Sequence, residues 1–157
     1  MISFRFIPLD HTLFQHYFKM DTNERLRHKA MLIKVDQKPG FPCRVSLEDA
    51  EIGEVVLALN FTYLNAASPY HSSGPIFVRE GYHSKAYEVN KVPEMCFRRP
   101  QSLRAYSKDD IMLDATIAEG KDIYITIKHF FSQSEISYIH IHNAKPGCFN
   151  ARIERVS

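Results

Sequence analysis

His140-Ile141-His142-Asn143 is the pattern in this sequence most able to do chemistry. Residues two apart on a strand point to the same face, so both imidazoles would share one side while Ile139 and Ile141 take the other. Two neighbouring imidazoles can serve as an acid and a base, or as two ligands of a metal. A metal would need a third ligand from His71, His83, Asp114 or a cysteine, and none stands at a recognisable ligand spacing. No metal is therefore assigned. His140 and His142 remain candidate catalytic residues, set against the plainer reading of a polar strand face.

The thiols come next. Cys43 lies between Pro42 and Arg44, and a guanidinium beside a thiol raises its thiolate fraction. Cys148 directly follows Gly147, close in sequence to His142, which could act as its base. Cys43 and Cys148 are thus candidate nucleophiles, although a free cysteine is commonly a small buried apolar residue. Cys96, within Met95-Cys96-Phe97, reads as packing. A third group is Tyr70-His71-Ser72-Ser73-Gly74-Pro75, whose hydroxyls, imidazole and glycine could form a small anion- or hydroxyl-binding loop. It lacks the glycine spacing and the lysine of a phosphate loop. Arg44, His71, Ser73, Gly74 and Asn143 are accordingly the candidate ligand-binding residues.

Charge is segregated along the chain. Residues 79–108 hold seven basic against three acidic residues, interleaved with Tyr82, Tyr87, Phe97 and Tyr106. Glu48, Asp49, Glu51 and Glu54 form an acidic block with no basic residue between them. A basic aromatic stretch can bind single-stranded nucleic acid. No nucleic-acid-binding signature accompanies it, and the whole chain carries only +2. A solvated face, or pairing of the two blocks with each other, fits better.

These residues must be held by elements, and the composition supplies them. The chain has 157 residues, 45% hydrophobic and 24% charged, which excludes disordered, collagenous and disulfide-scaffold classes and suits one domain over 1–157. The first ten residues carry Arg5 within the apolar stretch and Pro8 at its end, unlike a secretory signal. The longest aliphatic run, Val55–Leu59, is far too short to cross a membrane. Three cysteines without paired spacing then read as reduced thiols in a cytoplasm.

Phe4–Leu9 reads as a strand. Leu9, Leu13, Phe14, Tyr17 and Phe18 recur at helical spacing behind Asp10, and Asp21 with Glu24 starts a second short helix running through Arg27 to Ala30. Strands are expected at 31–35, 55–61, 76–78, 103–106 and 111–118. Ser68–Pro75 is expected to be a loop, and 81–102 irregular. Ile123, Ile127, Phe130 and Phe131 make a helical stripe in 122–131, and alternation marks strands at 137–142 and 149–156. The expected fold is a single α+β domain, with a mostly antiparallel or mixed sheet, two short N-terminal helices and one late helix. Lys38-Pro39-Gly40 and Lys145-Pro146-Gly147 echo each other, each followed by a cysteine.

Three blocks run in order over most of the chain: Pro39-Gly-Phe-Pro-Cys-Arg-Val-Ser-Leu-Glu-Asp-Ala50 with Gly53-Glu54, Ser73-Gly-Pro-Ile-Phe-Val78, and Tyr138-Ile-His-Ile-His-Asn-Ala144 with Gly147-Cys-Phe149. In them the sequence resembles a bacterial family, domain of unknown function family 1203. The resemblance implies a small single-domain protein and transfers no reaction, cofactor or catalytic residue. Two readings follow. The first is a small-molecule-binding domain, with the capacity to be an enzyme, whose polar pocket gathers Cys43, Arg44, His71, Ser73, His140, His142 and Cys148 at turn–strand junctions. The second is a non-catalytic interaction or regulatory domain that uses its segregated charges. The partner is thus an unidentified small molecule or protein, with no membrane and nucleic acid disfavoured; cofactor and oligomeric state are left open.

Overall fold

Phe4-Arg5-Phe6-Ile7 alternates, and strand β1 (Phe4–Ile7) buries both phenylalanines on one side. It forms the edge of one of two antiparallel sheets in the computed structural model, which describes residues 1–157. That sheet has the order β1-β8-β7-β5-β6, with β5 (Gln101–Tyr106), β6 (Met112–Ala118), β7 (Tyr138–Asn143) and β8 (Phe149–Arg155). The second sheet is β2 (Ala30–Lys34), β3 (Val55–Leu64) and β4 (Ser72–Arg79), in that order. The fold is α+β.

The helices follow local chemistry. Asp10 accepts a hydrogen bond from the Thr12 amide at 3.0 Å and starts a 3-10 turn at His11–Leu13, which leads into α1 (Gln15–Phe18). Asp21 caps α2 (Thr22–Arg27) by accepting from the Glu24 amide at 2.8 Å. This helix ends before the expected Ala30, because Lys29 turns into the left-handed region at φ 55° and Ala30 already opens β2. A short α3 (Glu94–Phe97) interrupts the stretch expected to be irregular and follows Pro93 directly. Proline suits a helix start, where its missing N–H would have had no helical acceptor. The late helix, α4 (Lys121–Phe131), buries Ile123, Ile127, Phe130 and Phe131 as its stripe requires.

Ser72–Pro75 is not loop but the start of β4, opposite Leu64–Asn60 of β3. Pro75 is tolerated there because β4 is an edge strand, where a missing amide donor can face away from the ladder. The main core lies between α4 and one face of the larger sheet, where Leu103, Ile139, Ile141 and Ile153 meet the helix stripe. A smaller core joins the N-terminal helical turns to the second sheet through Phe14, Leu57, Ile76 and Val78. Between these cores the two sheets meet, and that junction holds the site. No helix is long and apolar enough to cross a membrane.

Candidate functional site

A cleft of about 570 Å³ opens where the two Lys-Pro-Gly turns approach each other. Pro42, Pro75, Pro100, Pro146 and Phe77 form its walls. Proline rings are stiff and carry no N–H, so such walls are apolar and pre-organised. Arg44, Asn143 and Cys148 supply its interior polar groups, while Arg98, Arg99 and Lys145 supply further cations. No acidic side chain lines it.

Arg44 is the unusual group. It is 1% exposed, and its backbone is stapled on both sides, with its amide donating to the Phe77 carbonyl and its carbonyl accepting from Leu9. The Nε donates to the Phe149 carbonyl at 2.7 Å, and Nη1 donates to the Pro42 carbonyl. The Nη2 has no partner at all. Arg44 takes part in none of the molecule's ion pairs. Burial lowers its affinity for its proton, and the adjacent Cys148 sulfur acts in the opposite direction. A guanidinium nevertheless keeps its charge in proteins. A buried, permanent cation with an unpartnered N–H group therefore stands in the cleft lining.

Beside it lies an amide network made possible by a strand irregularity. The register of β7 with β8 shifts between Ile141 and His142, so Ile141 pairs with Ala151 but His142 pairs with Phe149. The extra residue is Asn150, and such a bulge re-aims side chains. Asn150 Nδ2 donates to Asn143 Oδ1 and to Gln101 Oε1, both at 2.8 Å, and Gln101 Nε2 donates to Asn143 Oδ1 at 2.9 Å. All three side chains are buried. Asn143 Nδ2 in turn points at Cys148 Sγ from 3.6 Å. The thiol thus sits between an amide donor and the Arg44 guanidinium, and it is partly exposed to the cleft.

Arg98 and Arg99 are anchored from behind. Arg99 makes a two-pronged pair with buried Asp49, at 2.6 and 3.2 Å, and Arg98 reaches the same carboxylate at 3.9 Å. Glu54 pairs with Arg79 at 2.8 Å, Glu48 with Arg79 at 3.6 Å, and Glu51 with Lys38. The acidic block is thus paired within the molecule, much of it with the basic stretch.

The other sequence candidates lie elsewhere. Cys43 is fully buried in the smaller core, where its sulfur accepts from the amides of Arg79 and Ser46 at 3.3 and 3.4 Å. His71 is exposed and accepts from the Ala66 amide at 3.3 Å. Ser73 is exposed and Gly74 half-buried, both on β4 one or two residues before Pro75 of the cleft wall. His140 and His142 do share one face, as alternation requires, but they lie under aromatic rings. Tyr63 stacks on Phe149 at 5.0 Å, and His140 is 5.0–5.4 Å from the rings of Phe149, Tyr138 and Tyr106. Burial, followed by the neighbouring His142, pushes His140 down to about 3. Burial takes His142 down to about 4, against the opposing hydrogen bond from its Nδ1 to the Gly147 carbonyl at 3.0 Å. Both rings are therefore neutral. Neither lines the cleft, and neither does Cys43.

His71, His83 and Asp114 are all exposed, unlike the buried histidine pair. No group of three His, Cys, Asp or Glu side chains is arranged to hold a metal ion. The cleft residues that sequence reasoning passed over are the prolines, Phe77 and Lys145, and behind them the buried Gln101 and Asn150 of the amide network. One signal was available for Asn143's partners. Asn143 continues the Ile139–Ile141 side of β7, so a polar residue there must find polar company at the end of the core face.

The family model described as Protein of unknown function (DUF1203) matches residues 40–155, a span that contains every residue lining the cleft. No curated protein and no solved structure matches the chain.

Proposed function

The chain belongs to the DUF1203 family, which carries no assigned reaction, and from the geometry of its cleft we propose a small-molecule-binding domain whose ligand is an anion. One observation carries this reading: Arg44 is buried without a carboxylate partner, its Nη2 has no hydrogen-bond partner, and the residue lines a cleft that contains no acid. A buried charge without a counter-charge is costly, and an anionic ligand supplies the missing partner. Lys145, in none of the molecule's ion pairs, adds attraction from the surroundings beyond that of Arg98 and Arg99, which Asp49 partly neutralises, and a charged N–H donor suits a carboxylate or phosphate. The proline walls and Phe77 suit an apolar body attached to that anionic head. Three free thiols fit a reducing cytoplasm. The interaction-domain alternative is weaker, because its acidic block is paired within the chain.

The test is denaturation of the protein in rising inorganic phosphate, and separately in a small dicarboxylate, against chloride at matched ionic strength. Saturable stabilisation by an anion is expected, reaching about 2.7 kcal/mol at a hundredfold excess over Kd. Arg44→Met should abolish the response. Lys145→Ala, an exposed change that leaves the fold alone, should weaken it. Stabilisation no greater than that given by chloride overturns the proposal.

A further inference from the structure

We infer that Cys148 is a site of covalent thiolation by small anionic disulfides, which the cleft draws to its sulfur. This rests on the anion-binding reading above and assigns its chemistry. Three features of the site converge on the sulfur. Of the three cysteines, Cys148 alone is not buried, and it lines the cleft. Its sulfur receives the Asn143 amide at 3.6 Å and neighbours the Arg44 guanidinium. Arg44, 99% withdrawn from solvent and with its Nη2 unpartnered, lines the same cleft as the reacting sulfur and supplies the charge that an anion there would meet.

No carboxylate or imidazole opens onto the cleft, so the thiol proton leaves to water. The thiolate then attacks one sulfur of the disulfide, a Cys148–S bond forms, and the reagent's S–S bond breaks. The departing thiolate takes a proton from solvent. One disulfide is consumed and one is made, with no external oxidant. Anionic groups on the reagent gain from Arg44 and Lys145 during approach and in the mixed disulfide. Cationic reagents meet repulsion from the same groups.

The test compares oxidised glutathione, hydroxyethyl disulfide and cystamine, which are anionic, neutral and cationic respectively. Each rate is divided by that of the same reagent with a free uncharged cysteine derivative, and adducts are located by peptide mass spectrometry. The anionic disulfide should label Cys148 about tenfold faster than the neutral one, and the cationic one should lag by a similar factor. Arg44→Met should erase most of that preference, and the exposed Lys145→Ala should reduce it. Inorganic phosphate should slow labelling by the anionic reagent. Cys43 and Cys96 should stay unmodified, the latter with burial pushing its thiol up to about 12. Equal normalised rates for the three reagents, or adducts on the buried cysteines instead, overturn the inference. Phosphate titration of Cys148→Ser separates the two failures. A retained phosphate response with equal disulfide rates removes thiolation only, whereas no phosphate response in either protein removes the anion-binding reading and thiolation with it.

Discussion

On one face of the β7–β8 hairpin, His140 and His142 lie buried among aromatic rings; at its turn, Asn143 and Cys148 meet buried Arg44 at the cleft. Both regions hold polar groups away from water, and both leave some unpartnered: His140 Nδ1, His142 Nε2 and Arg44 Nη2. The difference lies in how each can relieve the burden. A histidine gives up its proton and becomes a neutral ring that packs against tyrosine and phenylalanine. An arginine cannot, so its charge persists until a counter-charge arrives. Burial alone therefore does not mark a site. A buried charge that cannot be discarded does.

Acid breaks this comparison most strongly. Both histidines have folded values below the ordinary 6.5, at about 3 and about 4. The unfolded chain thus binds protons that the folded chain refuses. Stability is full above pH 6.5 and falls as pH drops from there towards 4. Each histidine should remove about 1.4 kcal/mol per pH unit over that window. Urea midpoints measured from pH 7 to 4.5 should fall steeply, and His140→Phe should roughly halve the slope. The cleft cations keep their charge throughout, so they add nothing to this slope. A flat wild-type profile would contradict the neutral, buried assignment of the pair.

The amide network gives the next test, on the cleft side. Asn150→Ala removes donors to Asn143 Oδ1 and Gln101 Oε1. Both acceptors stay buried, so a loss of about 1–3 kcal/mol is expected. Asn143 also loses the neighbour that fixes its amide against Cys148, so disulfide labelling should lose selectivity in the same variant. A stability change within error, with selectivity intact, would show that Gln101 alone suffices to position Asn143.

Much of this architecture was legible in the sequence, for reasons that vary by element. The α4 stripe, the Asp21 cap and the alternation in 138–142 each depend on residues within a few positions, and each appears as expected. Ser72–Pro75 was not legible, because whether Pro75 interrupts a strand depends on that strand lying at a sheet edge, which is a tertiary fact. The same holds for α3 and for the β7–β8 bulge that places Asn150. Among the site candidates, Arg44, Asn143 and Cys148 reach one cleft, while His140 and His142 share a face without reaching it. Alternation predicts which side a residue takes. It does not predict that β3 continues to Leu64 and lays Tyr63 over that side.

The two Lys-Pro-Gly turns offer the smallest and most selective test. Gly147 has φ +84°, and a Cβ there would meet nothing within 4 Å. Its glycine is required by backbone conformation alone, so Gly147→Ala should cost about 1–2 kcal/mol. At Gly40 the φ is ordinary, and a Cβ would press on Gln37 Cγ at 2.7 Å, so the exposed Gln37 side chain must change rotamer about its first bond to admit it. Gly40→Ala should therefore cost less, despite the identical tripeptide. Gly147 also joins the two regions compared above: its amide donates to the Asn143 carbonyl, and its own carbonyl accepts from His142. Strain at this turn should accordingly disturb both. Chemical denaturation of the two alanine variants, each followed by disulfide labelling of Cys148, checks the ranking. If Gly40→Ala proves the more damaging, the first turn is held by contacts rather than by conformation, and the cleft wall beside Pro42 is the stiffer of the two.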